Sequence, residues 1–244
     1  MSQEEKNLVL DKSYTCPVCE KKIKAKAVKT NVAKFVDTCA DLRPIYSNIN
    51  VSKYDVVSCP HCGYTALTKN FDFMTQVQRK LIRENISDNF KPREDAPCDF
   101  YTTEQAITRL KLALLCTMKK GGKSSEIGGI CLKMSWIYQD MIDEIAEDDP
   151  QKEQKTQNLL AETKTAHSHA YQYLTKARME EDLPIAGMND VTLDYPLAYL
   201  AYCEEEYNTS MQLLSGVITS RSSTPRLKDK AVTLKEMVQE KLKS

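Results

Sequence analysis

Two Cys-x-x-Cys pairs, Cys16-Pro17-Val18-Cys19 and Cys59-Pro60-His61-Cys62, constrain this chain more than any other feature. A two-residue spacing lets one tight turn aim both sulfurs at a single ion, while the turn's backbone N–H groups hydrogen-bond the thiolates. Proline at the second position presets φ, and Gly63 after the second pair takes a left-handed conformation at little cost. Two such turns facing each other supply the four thiolates of a closed tetrahedral site, so Cys16, Cys19, Cys59 and Cys62 are expected to hold one structural zinc ion. No coordination position remains for a catalytic water. His61 lies between two ligands and is expected to point outward.

The two turns differ in one respect: Glu20 stands where the second has Gly63, which makes the first geometry less comfortable without removing a ligand. The 39 residues between the pairs, 20–58, are about double the commonest gap for this arrangement. A hairpin or more must therefore lie between the turns. There Ile23, Ala25 and Ala27 alternate with Lys22, Lys24 and Lys26, the period of a half-buried strand, and residues 54–58 read as a strand leading into the second turn. Residues 1–71 are thus expected to form a zinc-ribbon domain: a small antiparallel sheet carrying both knuckles, with an insertion between them.

The nine cysteines are odd in number and only four are closely paired, in a chain of 244 residues that can bury a core without disulfide staples. Cys98, Cys116, Cys131 and Cys203 read as small buried hydrophobes. Lys plus Arg and Asp plus Glu are 34 each, for zero net charge, so general attraction to nucleic acid or an anionic membrane is not expected. The start has no basic segment leading an apolar one, and no apolar run is long enough to span a bilayer. The expectation is a soluble cytoplasmic protein with no membrane partner. Lys21, Lys22, Lys24, Lys26, Lys29 and Lys34 make a local basic face, for which a solvated strand is the ordinary explanation. In the polar segment 37–46, a nucleophilic Cys39 would need a base, and no histidine is near in sequence. Those residues are expected to fix a turn and pair charges beside the ribbon.

After Phe71 the period becomes helical, and residues 72–244 are expected to form a tetratricopeptide-like domain of antiparallel helix hairpins. Met74, Val77, Leu81 and Ile82 suggest a first helix, stopped by Pro92 and Pro97. Thr102 or Thr103 caps a second, striped by Ala106, Ile107, Leu110, Ala113 and Leu114, which Gly121-Gly122 ends. Ser124 or Ser125 is the expected cap of a third, with Ile127, Ile130, Cys131, Met134 and Ile137 inward and Trp136 in the core. A long helix is predicted over about 151–181, where His167 and His169 are too closely spaced to share a helical face as ligands. A loop over 183–195 then leads to a helix, a short turn at Tyr207, a second helix, and a last one opened by Pro225, which is the grammar of a tetratricopeptide repeat. Gly121-Gly122-Lys123-Ser124 lacks the first glycine and preceding strand of a phosphate loop.

The knuckles Cys16-Pro-Val-Cys19 and Cys59-Pro-His-Cys62-Gly63-Tyr64, the segment Asp41-Leu42-Arg43-Pro44-Ile45-Tyr46, Met134-Ser135-Trp136-Ile137-Tyr138 and the unit around Tyr207 resemble a bacterial family catalogued as domain of unknown function 2225. The resemblance runs from the first knuckle to the last helix. It implies a zinc-ribbon head on a tetratricopeptide-like tail and implies no activity. The expected function is accordingly a non-enzymatic adaptor whose helical-repeat surface binds a protein or peptide. A nucleic-acid-binding ribbon is the first alternative and is not favoured. A thiol-based redox switch or enzyme is the second.

Overall fold

The computed structural model describes residues 2–92 and 98–243. Pro97, one of the two expected helix stops, lies outside them. Helix α1 (Ser2–Leu8) runs into β1 (Val9–Thr15), which pairs antiparallel with β2 (Lys22–Val28) along its whole length, Val9 opposite Val28 and Thr15 opposite Lys22. Cys16 and Cys19 sit in the turn of this hairpin. Alternation announces β2, whose Ile23 and Ala25 are buried. In β1 only Val9 is buried, so hydrogen bonding to β2 holds that strand with no amphipathic pattern to reveal it.

The expected small antiparallel sheet is present as three separate two-stranded ladders. The insertion contributes β3 (Phe35–Thr38) and β4 (Pro44–Tyr46), with a bulge between Phe35 and Asp37. The second knuckle joins β5 (Val56–Ser58) to β6 (Thr65–Leu67). The strand expected over 54–58 begins only at Val56, because Val51–Tyr54 forms a 3-10 turn whose Asn50 cap accepts a bond from the Ser52 N–H. That turn carries Tyr54 onto the ring of Tyr101, 5.5 Å away, and its hydroxyl donates to Glu5.

Strands β5 and β6 are buried on both faces. Val57 and Ala66 belong to a core built around the knuckle cysteines, Tyr64, Phe71 and Ile82. Val56 and Leu67 face the other way, into a core with Ala106, Leu110, Ile130 and Ile137 of the helices. This hairpin is therefore a common wall between the cysteine-bearing head and the helical stack.

Helix α2 (Gln76–Asn85) is opened by a Thr75–Gln78 capping box. The expected apolar stripe is not the buried one: Met74 precedes the helix, Val77 is 69% exposed, and Ile82 is fully buried. The helix lies over the first knuckle, so tertiary contact outweighs periodicity. Helix α3 (Thr103–Lys119) starts at the predicted cap, Thr102, in a second capping box with Gln105. Neither Ser124 nor Ser125 caps α4 (Ser124–Asp143); Glu181 does so from a distance, accepting the Ser125 N–H at 2.9 Å. Gly128, inside α4, permits close approach of α5 (Lys152–Glu180), since a Cβ there would lie 2.7 Å from Leu174 Cγ.

Helix α6 (Asp190–Cys203) begins inside the segment expected to be a loop. Asn189 caps it by accepting the Thr192 N–H, and Pro196 sits within the helix instead of before it. Helices α7 (Tyr207–Thr219) and α8 (Pro225–Lys243) complete the stack. Successive helices from α3 to α8 pack on one another. No helix among the described residues is long and apolar enough to cross a membrane.

His167 of α5 packs edge-on to Tyr199 of α6. Burial lowers its pKa, with Glu204 opposing. A buried neutral imidazole stabilises the fold while the unfolded chain's histidine is also neutral, and that contribution is lost as pH falls below about 6.5. The unfolding free energy from urea titration is therefore expected to fall between pH 7 and pH 5, by up to about 1.4 kcal/mol per pH unit from this group. His167→Leu should flatten that part of the slope; an unchanged slope would refute the assignment.

Candidate metal centre

The two knuckles are built alike. In the first, the Cys16 N–H donates to the Lys21 carbonyl (3.0 Å) and the Glu20 N–H to the Cys16 carbonyl (2.8 Å). In the second, the Cys59 N–H donates to Tyr64 (2.8 Å) and the Gly63 N–H to Cys59 (2.9 Å). Each hairpin thus closes on a residue in the left-handed region, Glu20 at φ 62° and Gly63 at φ 77°. A side chain there costs about 1 kcal/mol, which Glu20 bears while its carboxylate meets Arg79 at 3.1 Å. At the second knuckle the same cost would add to a collision, because a Cβ on Gly63 would lie 2.6 Å from the Phe90 ring. Gly63→Ala is expected to destabilise the protein by about 2–4 kcal/mol, whereas Glu20→Gly should be neutral or slightly stabilising. Denaturant midpoints of the two variants test the contrast, and equal effects would contradict it.

The four sulfurs converge. Cys16 and Cys62 Sγ are 3.6 Å apart, as are Cys19 and Cys59 Sγ, and all four ligand atoms lie within 4.8 Å of one another. A tetrahedron with metal–sulfur bonds of about 2.3 Å has edges of about 3.8 Å, so the donor set fits a single ion. Cys16, Cys59 and Cys62 are buried and Cys19 is half-buried. Backbone amides of Val18 and Cys19 face the Cys16 sulfur, and those of His61 and Cys62 face Cys59, as expected for turns that stabilise thiolates.

These thiols do not ionise independently. Contacts with Cys16 and Cys62 hold the Cys59 thiol well below its usual range, while contact with Cys59 pushes Cys16 up and contacts with Cys16 and Cys59 push Cys62 up. A divalent cation bound here would displace the protons and take all four sulfurs as thiolates. All four donors to such an ion would be cysteines.

His61 is half-buried and outside the sulfur cluster. Cys39 also lies outside it, at the β3–β4 turn, where its N–H donates to the Arg43 carbonyl. All nine cysteines are free thiols. Cys116 of α3, legible in the sequence only as a small buried residue, directs its Sγ at the Gly63 carbonyl (3.8 Å). Arg83 of α2 likewise donates to the Val18 carbonyl (2.8 Å). The helices thereby brace both knuckles, a relation with no local sequence signal.

The insertion is bound to the stack through its charges. Arg43 pairs with Asp140 and with Asp143 (2.9 Å) on α4, and Asn50 donates to Asp140 (2.6 Å). Asp37 meets Arg226 of α8 (2.5 Å), and Lys230 donates to the Thr38 carbonyl (2.6 Å). Tyr195 of α6 donates to the Ala40 carbonyl (2.8 Å). The polar segment 37–46 thus forms a turn held by ion pairs.

Paired cysteine hairpins braced by a helical stack define a protein with a four-cysteine cluster able to hold a metal ion. The chain belongs to the family described as "Uncharacterized protein conserved in bacteria (DUF2225)", which matches residues 9–241. Neither the curated proteins nor the solved structures contain a significant match.

Proposed function

We propose that this chain is a non-enzymatic adaptor: a zinc-ribbon head, holding one structural zinc ion, joined to tetratricopeptide-like helix hairpins that present a surface to a protein or peptide. The observation that carries this reading is the all-cysteine donor set, which leaves no vertex for substrate or water. Four sulfurs in tetrahedral array suit zinc or iron, and zinc is preferred because a braced, mostly buried centre serves folding without redox chemistry. Metal analysis of the purified protein should find one zinc per chain; one iron instead, or no metal, would overturn that assignment.

Stacked helical hairpins make extended surfaces suited to peptides, and the ion pairs from β3–β4 to α4 and α8 support a head that stays fixed beside that surface. Crosslinking in cells, followed by reconstitution from purified components, tests the adaptor role. The expected result is a saturable one-to-one complex made by intact protein. Failure of every crosslinked candidate to rebind would remove the proposal. The nucleic-acid alternative is weakened because Lys26 is engaged by Asp11 at 3.0 Å, although Lys22 and Lys24 remain exposed on β2.

A further inference from the structure

A cleft of about 820 Å³ opens between the head, the first half of α4 and the α5–α6 connection. This is the size of sites that take small organic molecules. Its apolar walls include Leu67 of β6, Leu132 and Trp136 of α4, and Pro184 and Met188 of the connection. Trp136, expected in the core, is half-buried here.

The charged groups in the walls are three lysines, Lys69, Lys123 and Lys133, and two carboxylates, Asp55 and Glu126. Both carboxylates are already engaged. Asp55 meets Lys133 at 2.5 Å, and Glu126 meets the buried Lys120 at 2.9 Å. Lys133 also lies over the Trp136 ring, 5.3 Å from its centroid. Among the described residues neither Lys69 nor Lys123 forms an ion pair, and Lys69 Nζ donates only to the Ala186 carbonyl, at 3.1 Å. The pKa of Lys69 is lowered, by burial first and by repulsion from Lys133 second, and a bound anion opposes that repulsion. Two more wall groups, the Trp136 indole N–H and the Thr68 hydroxyl, are covered and have no hydrogen-bond partner among the described residues.

We infer that this cleft is a binding site for a small organic anion: an apolar, ring-bearing body that packs against Trp136 and Leu132, carrying one carboxylate or phosphate that Lys69 and Lys123 receive. The surplus of positive charge selects an anion over a neutral or cationic molecule of the same shape. The apolar walls select against bare inorganic phosphate, which would leave them wet. The site is independent of any protein partner, so it stands or falls separately from the adaptor reading.

Trp136 is the chain's one tryptophan, so its fluorescence reports on the cleft directly. The probes are 8-anilinonaphthalene-1-sulfonate and its neutral counterpart N-phenyl-1-naphthylamine, titrated into the full metal-loaded chain. The expected result is saturable, one-to-one quenching of Trp136 by the anion, with the neutral probe binding more weakly. Lys69→Gln should weaken the anion about tenfold, and Lys123→Gln should weaken it by a smaller factor, both with unchanged circular dichroism. Non-saturable quenching, equal binding of the two probes, or full affinity in Lys69→Gln would each overturn the assignment.

Discussion

Stripping zinc from the loaded protein is expected to unfold both knuckle hairpins together and to carry the damage into α2 and α3. Four thiols, three of them buried, drawn to within 4.8 Å have no comparable reason to stay together once the ion is gone. A structural zinc typically contributes about 10–16 kcal/mol of apparent binding free energy, more than the whole stability of an ordinary domain. The sulfurs share their core with Tyr64, Phe71 and Ile82, and Cys116 of α3 belongs to it too. Loss of the centre therefore removes the floor under α2 and one face of the β5–β6 wall. The α7–α8 hairpin has its own core with α6, built on Leu214, Val217, Leu227 and Leu234, and should keep its protection. Amide hydrogen exchange before and after verified removal of metal should show strong loss over 9–28, 56–67 and 76–85, extending into 103–119, and much less over 207–243. Identical exchange in the two states would refute a structural centre, and uniform loss would refute the separation of the cores.

The legible parts of this architecture are those in which the signal is local. A two-residue cysteine spacing names its turn without reference to the rest of the chain, and the four paired cysteines are clustered in the structure. Helix α5 (Lys152–Glu180) lies within one residue of each expected end, and its buried side is carried by Ala166, Ala170, Leu174 and Ala177 in the C-terminal half. Where a distant group makes the decision, the signal fails. The cap of α4 belongs to Glu181, so its own serines mislead. Helix α6 begins at Asp190, amid residue types that ordinarily mark a loop, and Pro196 reads as a boundary although it is interior. Val77 falls on the helical period and yet faces solvent, because α2 is positioned by Ile82 and by Arg83 on the Val18 carbonyl. The cleft is the extreme case: its walls come from Leu42 and from 55–70, 123–136 and 184–196, and only folding brings Lys69 near Lys133.

The same dependence on distant partners makes Arg43 a sensitive polar residue outside the cysteine cluster. Arg43 and Asp140 side chains are 16% and 15% exposed. Removing one partner of a buried pair typically costs about 3–5 kcal/mol, because the other charge is left desolvated. The two removals are not equivalent here. Without Asp140, Arg43 still has Asp143 at 2.9 Å; without Arg43, Asp140 keeps only the Asn50 amide. Arg43→Met is therefore expected to lower stability by about 3 kcal/mol, and Asp140→Leu by distinctly less. The double variant should resemble Asp140→Leu alone, giving a coupling of about 3 kcal/mol in a denaturant double-mutant cycle. Burial already pushes the Asp140 carboxyl above its usual range, against hydrogen bonds from Asn50 and Arg43. A carboxyl whose folded pKa is raised binds protons more readily in the folded than in the unfolded state, so stability recovers as pH falls through that folded value. The deficit of Arg43→Met should accordingly shrink as the solution is acidified from pH 7 through the folded pKa of Asp140. Additive single effects, or a deficit that grows on acidification, would show that Arg43 holds the insertion to α4 by packing alone.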